Sequence, residues 1–166
     1  MQFDLKKFLQ TGREPYRAEL NFDLSGYDFP GYQVNKPAVG VFTAQPTGDG
    51  VVINLTVEAY VNAECARCLD EVHQEYSIQR EWLVHENDLT GDLLELPIDE
   101  AGKLPIEELV CEELVMEVPP VLLCSSDCKG LCPVCGKPKA SGCTCCPEGS
   151  TTPVDERLAI LKQLLN

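Results

Sequence analysis

The chain has 166 residues, 44% apolar and 24% charged, a composition that suits one globular domain with a core and a small appendage. Its formal net charge of −14 repels a phosphate backbone, because loose nucleic-acid binding is driven by lysine and arginine releasing counterions. That argues against DNA and against a bare electrostatic RNA binder, and it leaves a basic protein or a strictly local RNA contact as partner.

The first residues, Met1-Gln2-Phe3-Asp4-Leu5-Lys6-Lys7, carry an acid at position 4 and no long apolar stretch after the lysines. They do not read as a secretory signal. No apolar run reaches the roughly 18 residues of a membrane span. The expectation is a cytoplasmic protein with no membrane partner.

Phe3, Leu5, Phe8 and Leu9 suit one or two helical turns. Tyr16, Ala18, Leu20, Phe22 and Leu24 then alternate with Arg17, Glu19, Asn21 and Asp23, the period of a half-buried strand. Ser25-Gly26 and Pro30-Gly31 punctuate a loop, and residues 38–44 predict a second strand. After the turn signal Pro46-Thr47-Gly48-Asp49-Gly50 comes a long strand. Its apolar face is Val51, Ile53, Leu55, Val57, Ala59, Val61 and Ala63. A further alternating stretch follows, with Val72, Gln74, Tyr76, Ile78, Arg80, Trp82 and Val84 on one face. Cys65-Ala66-Arg67-Cys68 therefore sits at the tip of a hairpin between two long antiparallel strands.

Residues 86–103 are acidic and loop-like, with a short strand expected at 93–98. Pro105 opens a helix at a position where proline is tolerated, and Ile106, Leu109, Val110 and Leu114 follow at helical spacing. Pro119-Pro120 closes it. Asp155 is placed to cap a last helix carrying Leu158, Leu161 and Leu165.

Of ten cysteines, seven lie between positions 124 and 146. A disulfide framework would spread them through the fold and imply export. Clustering favours thiolates on a metal. Zinc takes four tetrahedral soft ligands, and a structural site fills all four positions with protein atoms. Cys132-Pro133-Val134-Cys135-Gly136 suits a metal knuckle, since two intervening residues let both sulfurs reach one ion. Gly136 permits the tight turn that points backbone N–H groups at a thiolate. Cys124 with Cys128, or Cys143 with Cys145, would complete the set, and Cys146 sits three residues beyond Cys143. An iron–sulfur cluster or a redox dithiol would use the same residue type. Cys65 and Cys68 are either small residues at a tip, or a half-site of a second centre with Arg67 between them helping to hold thiolates, or with Arg67, which could also contact a phosphate, an interaction tip whose surface over 65–69 meets a basic ribosomal protein or a folded ribosomal RNA element. Cys111 reads as a core residue of the 105–117 helix. His73 and His85 share an exposed face with Glu75 and Glu81 and read as surface residues. No Ser/His/Asp or Cys/His constellation and no phosphate-binding glycine loop stands out.

These motifs resemble a known family. Cys65-Ala66-Arg67-Cys68-Leu69 is similar to the Cys-x-Arg-Cys-Leu of the bacterial YceD family. So are the helix over 106–118 running into Pro119 and the block Cys124-x3-Cys128-Lys129-Gly130-Leu131-Cys132-Pro133-Val134-Cys135-Gly136. Val154-Asp155-Glu156-Arg157-Leu158 resembles the family's Val-Asp-Pro-Arg-Leu tail. The chain departs in having Lys137-Pro138-Lys139-Ala140-Ser141 where an asparagine is common, and in its extra thiol Cys146. The resemblance implies a large ribosomal RNA subunit accumulation protein, acting in synthesis or accumulation of 23S ribosomal RNA or in large-subunit assembly.

The expected architecture is α+β. An antiparallel, curled or barrel-like sheet with the helix at 105–117 occupies 1–118. A cysteine-rich zinc module occupies 119–147, and a linker with a C-terminal helix occupies 148–166. The expected function is a non-enzymatic ribosome-biogenesis factor with structural zinc, whose partner is a large-subunit ribosomal protein or ribosomal RNA. Two rivals stand beside it. A zinc- or redox-responsive adaptor would use reversible metal release. A metal-dependent RNA-processing enzyme would need an open metal position, against which an all-cysteine site argues.

Overall fold

A computed structural model describes residues 1–90, 96–142, 144 and 145. The helix expected after Asp155, most of the strand expected at 93–98, and Cys143 and Cys146 lie outside the described residues. The chain divides into two compact units, Met1–Cys124 and Ser125–Asn166.

The first unit is built on the alternating segments. Strands β2 (Tyr16–Phe22), β4 (Ala38–Pro46), β5 (Val51–Glu64) and β6 (Glu71–Val84) pair antiparallel. β5 takes β4 on one side and β6 on the other, and a two-residue strand β3 (Tyr32–Gln33) joins β5 at Ala63 and Asn62. The sheet curls into a half-barrel, and with the helices below the fold is α+β, as the sequence predicts. β5 and β6 stay in register without a bulge from Val51↔Val84 to Glu64↔Glu71. This single long hairpin carries the Cys65–Cys68 segment at its tip.

Period two decides which side chains enter the core. Ile53, Leu55, Val57, Ala59 and Val61 of β5 are buried, as are Phe42 and Ala44 of β4 and Ile78 of β6. Helix α2 (Ile106–Glu117) covers them with Ile106, Leu109, Val110 and Leu114. Arg80 shares the mostly apolar face of β6 because it reaches α2. Its Nε donates to Glu113 at 2.8 Å and its Nη2 to Glu117 at 2.9 Å, residues one helical turn apart. Pro105 is not the first helical residue. It is the last residue of β7 (Lys103–Pro105), which pairs with β1 (Gln2–Asp4) and ties the N-terminus to the start of α2. Asp4 caps helix α1 (Leu5–Thr11) by accepting from the Lys7 N–H at 2.9 Å. Residues 96–98 form no strand, because the Ile98 N–H turns back onto the Leu96 carbonyl at 2.8 Å.

Gly40 lies mid-β4, opposite Leu20 and Val57. A Cβ there would stand 2.1 Å from the Thr56 carbonyl oxygen and 2.8 Å from Val57 Cα, both backbone atoms that cannot rotate away. Gly40→Ala is therefore expected to destabilise the sheet by about 1–3 kcal/mol, the range of overpacking. A urea titration checks this, and an unchanged midpoint would refute the close approach.

In the second unit, a loop returns on itself through the isolated bridge Leu131↔Pro138. The Cys132 N–H donates to the Lys137 carbonyl at 2.8 Å and the Lys139 N–H to Gly130 at 2.9 Å. A short 3-10 turn over Lys139–Ser141 follows.

Candidate metal centres

Both Cys-x-x-Cys segments fold into the same turn. In the hairpin, the Leu69 N–H donates to the Cys65 carbonyl at 2.9 Å; in the second unit, the Gly136 N–H donates to the Cys132 carbonyl at 2.9 Å. The fifth residue of each loop is left-handed, with φ 63° at Leu69 and 71° at Gly136. This turn aims backbone N–H groups back at the first sulfur. The Val134 N–H lies 3.4 Å from Cys132 Sγ, and the N–H groups of Cys124, Arg67 and Cys68 are directed at Cys65 Sγ. Such donors stabilise a thiolate, so they suit a ligand of a cation.

At the hairpin tip the Cys65 N–H closes on the Asp70 carbonyl at 2.8 Å. The Ala66 N–H donates to the Leu122 carbonyl at 2.9 Å, which brings the segment after α2 against the tip. Cys124 thereby joins the pair. The sulfurs of Cys65, Cys68 and Cys124 all lie within 4.8 Å of one another, with Cys68 Sγ and Cys124 Sγ 3.5 Å apart. A disulfide would bring them to about 2.05 Å. Two sulfurs at about 2.3 Å from one tetrahedral zinc stand about 3.8 Å apart, so the spacing is that of co-ligands. The donors of Cys124, then those of Arg67 and Cys68, hold the Cys65 thiol well below its ordinary range, at about 6. For Cys68 the Asp70 N–H favours the thiolate. Burial, the Asp70 carboxylate at 3.1 Å and the neighbouring sulfurs outweigh it and push the thiol up.

The second cluster gathers Cys132, Cys135 and Cys145, whose sulfurs also lie within 4.8 Å of one another. Of the two pairs that could complete the late knuckle, Cys145 of the later one stands beside it. Cys124 of the earlier one stands at the hairpin, in the half-site arrangement weighed for Cys65 and Cys68. Both clusters could hold a metal ion. No disulfide forms among the described residues.

The other singled-out residues fall elsewhere. Arg67 is exposed between the two hairpin thiols. Cys111 is half-buried against the core, and burial, then Glu107, Glu108 and Glu112, push its thiol up to about 11. His73 pairs with Asn62 and Glu71 near the tip, whereas the His85 ring binds the Asp49 carbonyl at 2.7 Å beyond the other end of β6. They serve no common site. Leu69 closes the Cys65-Ala66-Arg67-Cys68-Leu69 motif and is no metal ligand. It is 60% exposed, and a leucine held left-handed stores about 1 kcal/mol or more of backbone strain that glycine would not.

The large ribosomal RNA subunit accumulation protein YceD family matches over residues 53–165, from the long hairpin through the late cysteines. The chain belongs to the YceD family. It is similar to uncharacterized proteins of Mycobacterium tuberculosis and Mycobacterium bovis, each 31% identical over 127 residues, which cover 73% of this chain and 58% of the relative. A protein of Mycobacterium leprae is 28% identical over 102 residues, covering 55% of this chain and 44% of its own. The chain thus spans 58% of the length of the first two relatives and 44% of the third. No solved structure matches. No helix among the described residues is long and apolar enough to cross a membrane. The YceD match covers both cysteine clusters, so the hairpin tip and the late knuckle fall within one family region.

Proposed function

We propose that this chain is a non-enzymatic ribosome-biogenesis factor that supports accumulation of the large-subunit ribosomal RNA, held in shape by two structural zinc ions. The YceD match over 53–165 carries the reading. Cys65, Cys68 and Cys124 supply three thiolates of one centre. Cys128 is a candidate ligand on its sequence spacing, Cys124-x3-Cys128. Cys132, Cys135 and Cys145 supply the other, with Cys143 or Cys146 completing it. Sites filled by four thiolates leave no position for water, so the metal orders the chain rather than activating a nucleophile. The direct partner is a large-subunit ribosomal protein or ribosomal RNA, and the protein works in the cytoplasm, where thiols stay reduced.

The test is depletion in a bacterium that carries this gene, followed by sucrose-gradient sedimentation and quantification of 23S ribosomal RNA. The expected result is a deficit of large subunits and of 23S relative to 16S RNA. The wild-type gene should restore both, and Cys65→Ser should not. A normal gradient after depletion would overturn the reading.

A further inference from the structure

A groove of about 940 Å³ opens in the first unit beside the hairpin tip, between the loop over residues 25–35 and the adjoining ends of β5 and β6. Tyr27, 45% exposed, stands over its floor, where the buried rings of Phe29 and Tyr32 stack, with successive centroids 6.2 and 5.1 Å apart. Asp28, Glu64 and Glu71 also line it, and none of its described lining residues is lysine or arginine. Leu69 stands at its rim.

Leu69 is the informative residue. The two Cys-x-x-Cys turns share their hydrogen bond and their left-handed fifth residue, and the late one uses Gly136 there. Glycine makes this turn without strain. The hairpin has leucine instead, strained and 60% exposed, so the folded chain recovers little of the strain by burying it. A strained residue that packing does not reward points to a role outside the fold. An exposed branched side chain beside the exposed Tyr27 ring offers an apolar anchor point. The carboxylates around it attract cations, and the Tyr27 ring can receive an ammonium or guanidinium group.

We infer that the groove and Leu69 dock an extended, lysine- and arginine-rich polypeptide segment that carries an apolar side chain onto Leu69. RNA is disfavoured, since three carboxylates and no cation line the path a phosphate backbone would follow. That the segment belongs to a large-subunit ribosomal protein rests on the reading above; the groove's preference for basic polypeptide does not.

Fluorescence anisotropy on the full-length, metal-loaded protein tests this, with three probes. One is a synthetic peptide alternating lysine and leucine. The second is a set of peptides tiling the basic segments of the large-subunit ribosomal proteins of the same organism. The third is fragments of 23S ribosomal RNA. Both peptide probes are expected to bind. Leu69→Gly should weaken binding at least tenfold while raising the thermal midpoint, because it removes the strain. A merely structural role for Leu69 could not produce that opposition. Glu64→Lys and Glu71→Lys should each weaken binding by a similar factor. Binding of the lysine–leucine peptide without any ribosomal peptide would uphold the groove and overturn the ribosomal partner. Equal binding by Leu69→Gly and wild type, no peptide binding, or RNA binding that these variants abolish would overturn the groove.

Discussion

Protein purified under reducing conditions is expected to yield two zinc ions per chain by elemental analysis. Cys65→Ser and Cys132→Ser should each yield one, and the double variant none. The two losses should differ in consequence. Among the described residues of the second unit, Cys132 alone is buried. So small a core cannot offset chain entropy, and a metal must supply the difference. Structural zinc contributes about 10–16 kcal/mol of binding free energy in small zinc-finger peptides, and there it is folding free energy. Cys132→Ser should therefore leave residues 125–145 open to limited proteolysis while the sheet unit stays intact. Cys65→Ser should free the segment after α2 from the tip yet leave the sheet cooperative, since the sheet owns a large apolar core. One zinc in the wild type, retained by Cys65→Ser, would sink the hairpin centre. Iron with acid-labile sulfide would replace zinc with a cluster and reopen the redox reading.

The long hairpin was legible because fourteen residues of alternation on each side leave no rival period. β1, β3 and β7 were not, since two or three residues show no period at all. The misplacement of Pro105 follows from that: once β7 is missed, a proline before Ile106 reads as helix rather than as the end of a strand paired to Gln2. The metal centres divide the same way. Cys-x-x-Cys at 65–68 and 132–135 is local information, and the shared turn realises it. That Cys124 joins Cys68 across 56 positions is tertiary, set by the Ala66–Leu122 hydrogen bond, and no spacing encodes it. The late knuckle showed its left-handed residue as Gly136. The hairpin hid the same geometry under a leucine, a residue that carries no turn signal. The rings of Tyr27, Phe29 and Tyr32 come from a loop and the two-residue β3, where neither period two nor period 3.6 marks a common face.

Phe42→Ala is expected to lower stability by about 3–5 kcal/mol, the span seen when a buried aromatic is truncated. Phe42 is 0% exposed, sits opposite Leu55 of β5 and Ala18 of β2, and packs its ring 5.2 Å from Phe3 and 6.3 Å from Tyr16. It therefore joins the sheet to the N-terminal strand that β7 holds. Its removal opens a cavity bounded by three elements that cannot all collapse into it, which places the loss toward the upper end. Val39, three residues earlier on the same strand, points to the other face and is 42% exposed. Val39→Ala should shift stability by no more than about 0.5 kcal/mol, the usual scale for a surface change. Urea denaturation followed by Trp82 fluorescence measures both, and an equal slope in the two variants would confirm that only stability has changed. If Val39→Ala costs as much as Phe42→Ala, the outer face of the half-barrel is itself covered, and the sheet packs on two sides rather than one.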